Sequence, residues 1–387
     1  MGKRTREAQN DCMRLTAARS LTIDLIFFAT GFGTVLLGVL APLLFAGQVS
    51  DAGLARMFLS LFLGSIAGNL LLWGRPAQSL SRGLGVCALG SALLAFYVSG
   101  LGWLFLFGIG LGMSMTSANL LAAGETEAAN RASRLEFANF SWALGAMVCP
   151  WVTVWAVRVV QPASMFGFLA VFFAILCGAF LFTRPPAITP VKQAADGTER
   201  SLPALVLCCL LALVAVGVET AIGNWIPTLA FRSTGDHRAI SLAGSLFWIG
   251  ILAGRLVATR TMKSVSPVTL SVASSLLAAL SVLFLTRSHG LAAICAGAFL
   301  VSFWISPVYP ATIARGAPLR GRRLIFVTAG LGSSFLPWMT GLVSDRSGSL
   351  RVALAVPAVG CILLAGLFLA DMKLFARQRR TATEAGG

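Results

Sequence analysis

The stretch GSIAGNL at residues 64–70 recurs as GILAGRL at residues 250–256, an offset of 186 residues. A glycine followed five and six residues later by Pro and Trp occurs at Gly145 and again at Gly332, an offset of 187. Two matches at nearly one offset indicate an internal duplication, in which each half contributes equivalent segments to the fold.

The composition is typical of a membrane protein. Of the 387 residues, 57% are hydrophobic and 11% are charged, against about 25% charged in an ordinary soluble domain. Glycine accounts for 40 residues, and small residues let membrane helices pack closely. These values exclude a soluble enzyme, a disordered chain and a fibrous protein, and they predict a polytopic membrane protein.

Twelve segments are apolar enough to cross a bilayer, which takes about 20 residues each. They are predicted at 21–46, 54–73, 78–97, 103–123, 136–158, 165–183, 202–231, 240–259, 268–286, 291–313, 324–343 and 351–372. We therefore predict an all-α polytopic membrane protein whose twelve transmembrane helices form two six-helix bundles. Its predicted parts are a cytoplasmic tail (1–20), an N-terminal bundle (21–183), a polar cytoplasmic linker (184–201), a C-terminal bundle (202–372) and a cytoplasmic tail (373–387).

The net charge of +16 follows the membrane topology. If the N-terminus is cytoplasmic, 22 of the 30 Lys and Arg residues fall in cytoplasmic connections and tails, and 7 fall in the outer loops. This is the positive-inside pattern, so the basic charge does not require nucleic acid as a partner. We expect a multi-pass protein of a bacterial-type inner (plasma) membrane, with both termini cytoplasmic.

Metal and nucleophile chemistry has little support in the sequence. Seven of the eight cysteines lie in apolar stretches without a CxxC spacing, and the chain has two histidines, His237 and His289. No phosphate-binding loop or nucleophile elbow is present. We therefore expect no metal, no cofactor and no enzymatic activity.

Two carboxylates are predicted within the spans, Asp24 near the start of the first and Glu219 well inside the seventh. Because an ionised group at membrane depth is costly, both are candidates for proton coupling. For Glu219 the alternative is a structural group that is fixed by hydrogen bonds between helices. For Asp24 the alternative, which we favour, is a helix-terminal charge or a gate contact.

Uncharged polar and aromatic residues occur where facing helices would line a central cavity. The predicted substrate-binding residues are Asn119, Asn139, Trp142, Asn224, Trp225 and Tyr309. Amides and hydroxyls can bond to the hydroxyls of a sugar or polyol, and aromatic rings can contact its apolar face. Each such residue could equally serve helix packing.

A further set is predicted to act in gating or packing. It consists of Gly64, Gly68, Gly250, Gly254 and Arg255. The glycine pairs have the four-residue spacing of closely packed membrane helices, and the long side chain of Arg255 can reach the membrane interface or a gate.

Several segments resemble the fucose/proton symporter branch of the major facilitator superfamily. The residues TSAN at 116–119 are similar to the family's T-A-A-N, Phe247-Trp248 with Gly254-Arg255 to its F-W…G-R, and Tyr309-Pro310 to its Y-P. The resemblance implies two parallel six-helix halves, alternating access, a proton and a small solute as partners, and a monomer.

The chain departs from that branch at its acidic positions. Met115 and Gly38 stand where the family has carboxylates, so neither fucose nor the family's proton site transfers to this chain. If coupling is present, Glu219 is the remaining carboxylate near the middle of the membrane.

The predicted function is secondary active transport of a small polar solute, sugar or polyol-like, coupled to protons. One alternative is an exporter of amphipathic small molecules, which the many Phe and Trp residues would also suit. The other is a non-transporting membrane sensor.

Overall fold

The computed structural model describes residues 2–45, 48–71, 75–124, 131–183 and 201–384. The predicted linker, except residue 201, and the predicted ends of the first two spans at 46 and 73 lie outside these residues. Within the described residues the regular elements are helices, which confirms the all-α prediction. They are α1 Gly2–Leu44, α2 Asp51–Leu70, α3 Pro76–Phe96, α4 Leu101–Gly124, α5 Arg131–Ala156, α6 Ser164–Phe182, α7 Leu202–Thr234, α8 His237–Thr261, α9 Pro267–Arg287, α10 Leu291–Ile305, α11 Val308–Gly316, α12 Arg323–Ser347, α13 Leu350–Ala353 and α14 Ala355–Glu384.

Twelve helical segments of this set are long and apolar enough to span a membrane. They coincide with the twelve predicted spans, although α1 begins at Gly2 and so continues the first span through the predicted N-terminal tail. The tenth span combines α10 with α11, and the twelfth combines α13 with the first part of α14.

The tenth span is distorted at Ser306 and Pro307, between α10 and α11. A proline inside a helix lacks the N–H that would bond to the preceding turn, and its ring crowds that turn. Both residues keep right-handed helical dihedral angles, so the span continues across the distortion. Tyr309 lies in the first turn of α11.

By packing, the chain divides into two compact units. The first comprises Met1–Leu37 and Ser60–Ala194, and the second comprises Gly38–Leu59 and Ala195–Gly387. The segment 38–59 contains the end of α1 and the start of α2, yet it groups with the C-terminal helices. That residues 184–201 separate two bundles of six helices each stays a prediction.

The four glycines singled out in the sequence lie at close helix contacts. A Cβ at Gly64 or Gly68 would collide with the backbone of α4, at Phe105 and Ile109. In the second unit, a Cβ at Gly250 or Gly254 would collide with α10 in the same way. The second and fourth spans thus pack together as the eighth and tenth do.

The other repeated glycine marks a second equivalent contact. Gly145 of α5 lies against the carbonyl of Phe28 in α1, and Gly332 of α12 lies against the carbonyl of Leu213 in α7. The first and fifth spans are therefore in close contact, as are the seventh and eleventh. The internal packing of both units follows the duplication that the sequence predicts.

Candidate functional site

Side chains from three helices of the second unit form a charged cluster around Glu219. Arg255 of α8 and Tyr309 of α11 lie within electrostatic range of the Glu219 carboxylate. All three side chains are half-buried. The sequence did not predict a cation beside Glu219, because the two residues lie in different spans and far apart along the chain.

Glu219 and Arg255 are near each other without a direct bond. Among the described residues, no nitrogen–oxygen distance of 4.0 Å or less joins the two side chains. No residue of that set donates a hydrogen bond to Glu219. Arg255 Nε is buried and has no hydrogen-bond acceptor among the described residues. A carboxylate and a guanidinium in this arrangement retain bonding capacity for water, a proton or a solute. Within the described residues, no hydrogen bond supports the alternative that Glu219 is a structural anchor between helices.

Helix packing explains why these groups meet. Gly254 brings the α8 backbone against Phe303 of α10, and Arg255 is the next residue along α8. The same span continues into α11, with Tyr309 in its first turn. Close packing of α8 against the tenth span thus brings a cation and a phenol towards the middle of α7.

Asn224 lies one turn beyond Glu219 on α7 and is buried, at 5% exposed. Its Nδ2 donates to the carbonyl of Thr220 at 2.8 Å, while its Oδ1 has no donor among the described residues. Its backbone and Oδ1 lie within 3.2 Å of where a Cβ at Gly38 would be. Asn224 is therefore a buried side chain whose acceptor oxygen has no donor among the described residues.

Trp225 is fully buried. Its indole N–H donates to the carbonyl of Pro337 in α12 at 3.0 Å, and its ring meets that of Phe58 edge to face at 5.6 Å. With no exposed surface and its donor satisfied, Trp225 has no geometric support as a substrate contact in this conformation. We propose that it serves packing instead.

The remaining predicted binding residues belong to the first unit. Asn119 of α4 is half-buried, and its Nδ2 donates to the carbonyl of Met115 at 2.9 Å. On α5, Asn139 is exposed and Trp142 is half-buried. Gly31 of α1 packs closely against the Trp142 carbonyl, so a Cβ at Gly31 would collide with it. The predicted residues therefore fall into two groups, one in each unit.

Asp24 is engaged in an ion pair. Arg134 of α5 donates to its carboxylate at 2.5 Å and to the carbonyl of Ser20 at 3.4 Å. The Arg134 and Asp24 side chains are 16% and 15% exposed. A directly bonded cation distinguishes Asp24 from Glu219, and this geometry fits the alternative of a helix-terminal charge or a gate contact.

The sequence analysis missed a buried carboxylate at the end of the twelfth span. Asp371, at the end of the twelfth span, is 1% exposed and accepts from Arg315 of α11 at 3.3 Å. Asp371 precedes the polar C-terminal residues directly, so its position along the chain gave no sign of burial.

In the described residues, no group of three or more His, Cys, Asp or Glu residues could hold a metal ion.

The twelve spans define a multi-pass membrane protein. The family model of the Major Facilitator Superfamily matches residues 23–318, which is more than half of the chain. The chain belongs to this superfamily. Among curated proteins, no sequence match is found.

Solved transporters share the fold at low sequence identity. The nucleoside transporter NupG is 14% identical, with a TM-score of 0.70 over 93% of this chain and 99% of that one. The xylose transporter XylE from E. coli is 14% identical, with a TM-score of 0.72 over 91% and 98%. A variant of the E. coli fucose:proton symporter FucP is 17% identical, with a TM-score of 0.60 over 92% and 98%. These likenesses establish the fold.

Proposed function

We propose that the protein is a proton-coupled secondary transporter that moves a small polar solute, sugar or polyol-like, by alternating access. The observation that carries this proposal is the half-buried Glu219 within electrostatic range of Arg255 and Tyr309, among the apolar helices of the second unit. The names of the similar structures, which refer to fucose with a proton, xylose and a nucleoside, support a hydroxyl-rich solute.

Glu219 is the proposed coupling group. A carboxyl that is not tied to its neighbouring cation can gain and lose a proton as the hydration of the site alternates. The ionised form of Glu219 attracts Arg255, and the neutral form does not. Protonation would thereby change how strongly Arg255 is drawn to Glu219 and how freely it can bind the solute.

We further propose that residues 21–183 and 202–372 are the two halves that move. Both termini and the linker at 184–201 would face the cytoplasm of a bacterial-type inner membrane, as the distribution of Lys and Arg supports. The 235–236 connection between α7 and α8 and the start of α2 would then face the periplasm. Asn119, Asn139 and Trp142 would supply the binding contacts from the N-terminal half.

The test is a solute screen followed by transport. Purified protein is heated with L-fucose, D-xylose, mannitol or uridine, and separately with an amphipathic cation such as tetraphenylphosphonium. We expect at least one hydroxylated solute to raise the melting temperature. In proteoliposomes, that solute should accumulate when an inward proton gradient is imposed.

Stabilisation by the amphipathic cation alone would favour the exporter alternative. Uptake that equilibrates without accumulation, and does not respond to the proton gradient, would overturn the coupling proposal. The melting temperature without solute is the common reference for all additions.

A further inference from the structure

A network of hydrogen bonds and one ion pair joins three helices at one end of the second unit. Asp51 is the first residue of α2, and Arg232 lies in the last turn of α7. The two guanidinium nitrogens donate to the two carboxylate oxygens, at 2.8 and 2.5 Å. This bidentate geometry is the strong form of an Arg–carboxylate pair.

The helix α12 completes the network. The hydroxyl of Ser344 donates to Asp51 Oδ2 at 2.5 Å, and the backbone N–H of Ala52 donates to Asp345 at 3.4 Å. Asp51 is 9% exposed, whereas the Arg232 side chain is 47% exposed. The carboxylate is therefore enclosed, and the guanidinium reaches water at the rim.

An apolar contact lies beneath the ion pair. A Cβ at Gly341 of α12 would come within 2.5 Å of the Ala55 Cβ and within 2.6 Å of the Trp225 ring. The Trp225 ring also meets Phe58 of α2. We call these contacts of residues 38–59 with α7 and α12 the outer seam.

The two sides of the outer seam come from different halves of the sequence. Residues 38–59 belong to the first two spans, whereas α7 and α12 belong to the last six. If the halves alternate as proposed above, the outer seam must part whenever the periplasmic end opens. Its contacts therefore contribute to the energy difference between the closed and open conformations of that end.

We propose that Asp51, Arg232 and Ser344 form a latch that holds the periplasmic end shut, and that its release is a required step of opening to that side. This inference rests on the proposed function and names the residues that regulate it. Arg232 is half-exposed, so both charges can be hydrated once the helices separate. The latch can then open without leaving an unpaired charge buried, an arrangement that is strongly destabilising.

The pair Arg315–Asp371 provides a matched control. It also joins an arginine to an aspartate, but both partners lie in the C-terminal helices α11 and α14, and their side chains are 15% and 2% exposed. Neither residue lies at the outer seam. Breaking this pair should lower stability without opening the seam.

The experiment measures the distance across the outer seam directly. Spin labels are placed at Arg56 of α2 and Arg346 of α12, which are exposed and outside the latch. Double electron–electron resonance in lipid nanodiscs then gives the populations of short and long distances. The latch variants are Asp51→Asn, Arg232→Gln and Ser344→Ala, each confirmed as a monodisperse folded protein.

We expect the first two variants to raise the ratio of long to short distances by on the order of ten- to a hundredfold, because each removes a charge-assisted bond. Ser344→Ala should raise it less, and Asp371→Asn should leave it unchanged. The exchanged pair Asp51→Arg with Arg232→Asp should recover most of the short population.

The proposal is overturned if the single charge variants keep the parent distribution, or if the exchanged pair is as open as they are. An equal opening in Asp371→Asn would also overturn it, because general destabilisation would then explain the effect. The labels report opening without any solute. A negative solute screen with a working latch would thus refute the transport proposal alone.

Discussion

At the scale of single residues, the carboxylates within the spans differ in whether an arginine binds them directly. Asp24 and Asp371 each have an arginine in direct contact. Glu219 has Arg255 nearby and no direct bond to it among the described residues. A carboxylate in a direct ion pair already has its bonding partner, whereas one without a direct partner retains bonding capacity for water, a proton or a solute. This difference is why we propose Glu219, and not Asp24, as the coupling group.

Replacing Glu219 tests this assignment. Glu219→Gln keeps the shape and hydrogen-bonding capacity of the neutral acid, so we expect solute binding and counterflow exchange to remain. Accumulation driven by a proton gradient should be lost, and uptake in proteoliposomes with an imposed gradient measures it. Glu136→Gln is the control, because Glu136 is an exposed residue at the start of α5. Continued accumulation in Glu219→Gln would remove this residue from the coupling mechanism.

Solute contacts can be tested at Asn119, Asn139 and Tyr309. Asn119→Ala, Asn139→Ala and Tyr309→Phe each remove one hydrogen-bonding group. We expect each to weaken binding of the sugar identified by the screen by about 0.5–1.5 kcal/mol, which is roughly 2- to 12-fold in Kd and is measurable by isothermal titration.

The comparison for these variants is Trp225→Phe. It should lower the melting temperature through the lost bond to Pro337 and leave Kd unchanged. If Trp225→Phe weakens binding more than the other three variants, the tryptophan is a solute contact after all.

At the scale of helices, glycine decides which spans approach most closely. Gly64 and Gly68 bring α2 to the backbone of α4, and Gly250 and Gly254 do the same for α8 and α10. In a bilayer the hydrophobic effect does not drive helices together, so close van der Waals contact carries much of the packing energy. A side chain at such a position pushes the two backbones apart.

Gly332→Ala should therefore destabilise the protein. Its Cβ would collide with the backbone carbonyl of Leu213, and a backbone atom cannot rotate away. We expect a loss of about 1–3 kcal/mol, typical of overpacking, seen as a lower melting temperature in detergent.

Gly366→Ala is the matched substitution for Gly332→Ala, because Gly366 of α14 has open space where the Cβ would be. It should keep or slightly raise the melting temperature, since alanine favours a helix more than glycine does. A similar loss in both variants would show that helix propensity, and not the close contact, sets the effect.

At the scale of the whole molecule, the arrangement of twelve spans makes the side of each connection predictable. Ser264 lies between α8 and α9, and His289 lies between α9 and α10; both are exposed and one span separates them. In a cysteine-free background, Ser264→Cys should react with an impermeant maleimide only after the membrane is opened. His289→Cys should react in intact cells. Labelling of both from the same side would refute the proposed orientation.

The sequence alone determined the properties that depend on neighbouring residues and on repetition. Twelve apolar stretches of membrane length, the excess of Lys and Arg in alternate connections, and the two glycine repeats each follow from order along the chain. Since a bilayer requires every spanning segment to satisfy its own backbone, these local patterns are sufficient to predict the spans. The equivalent packing in the two units followed the predicted duplication.

Tertiary structure alone decided which distant residues meet. Nothing in the local sequence distinguishes the half-buried Glu219 beside Arg255 from Asp24 bound to Arg134, or the fully buried Trp225 from an aromatic residue that lines a cavity. Asp51 and Arg232 are 181 residues apart, and the spans predicted from hydropathy left both in outer connections. Their pairing depends on how α2 and α7 pack. Charged groups pair by proximity in space, and hydropathy along the chain contains no information about that proximity.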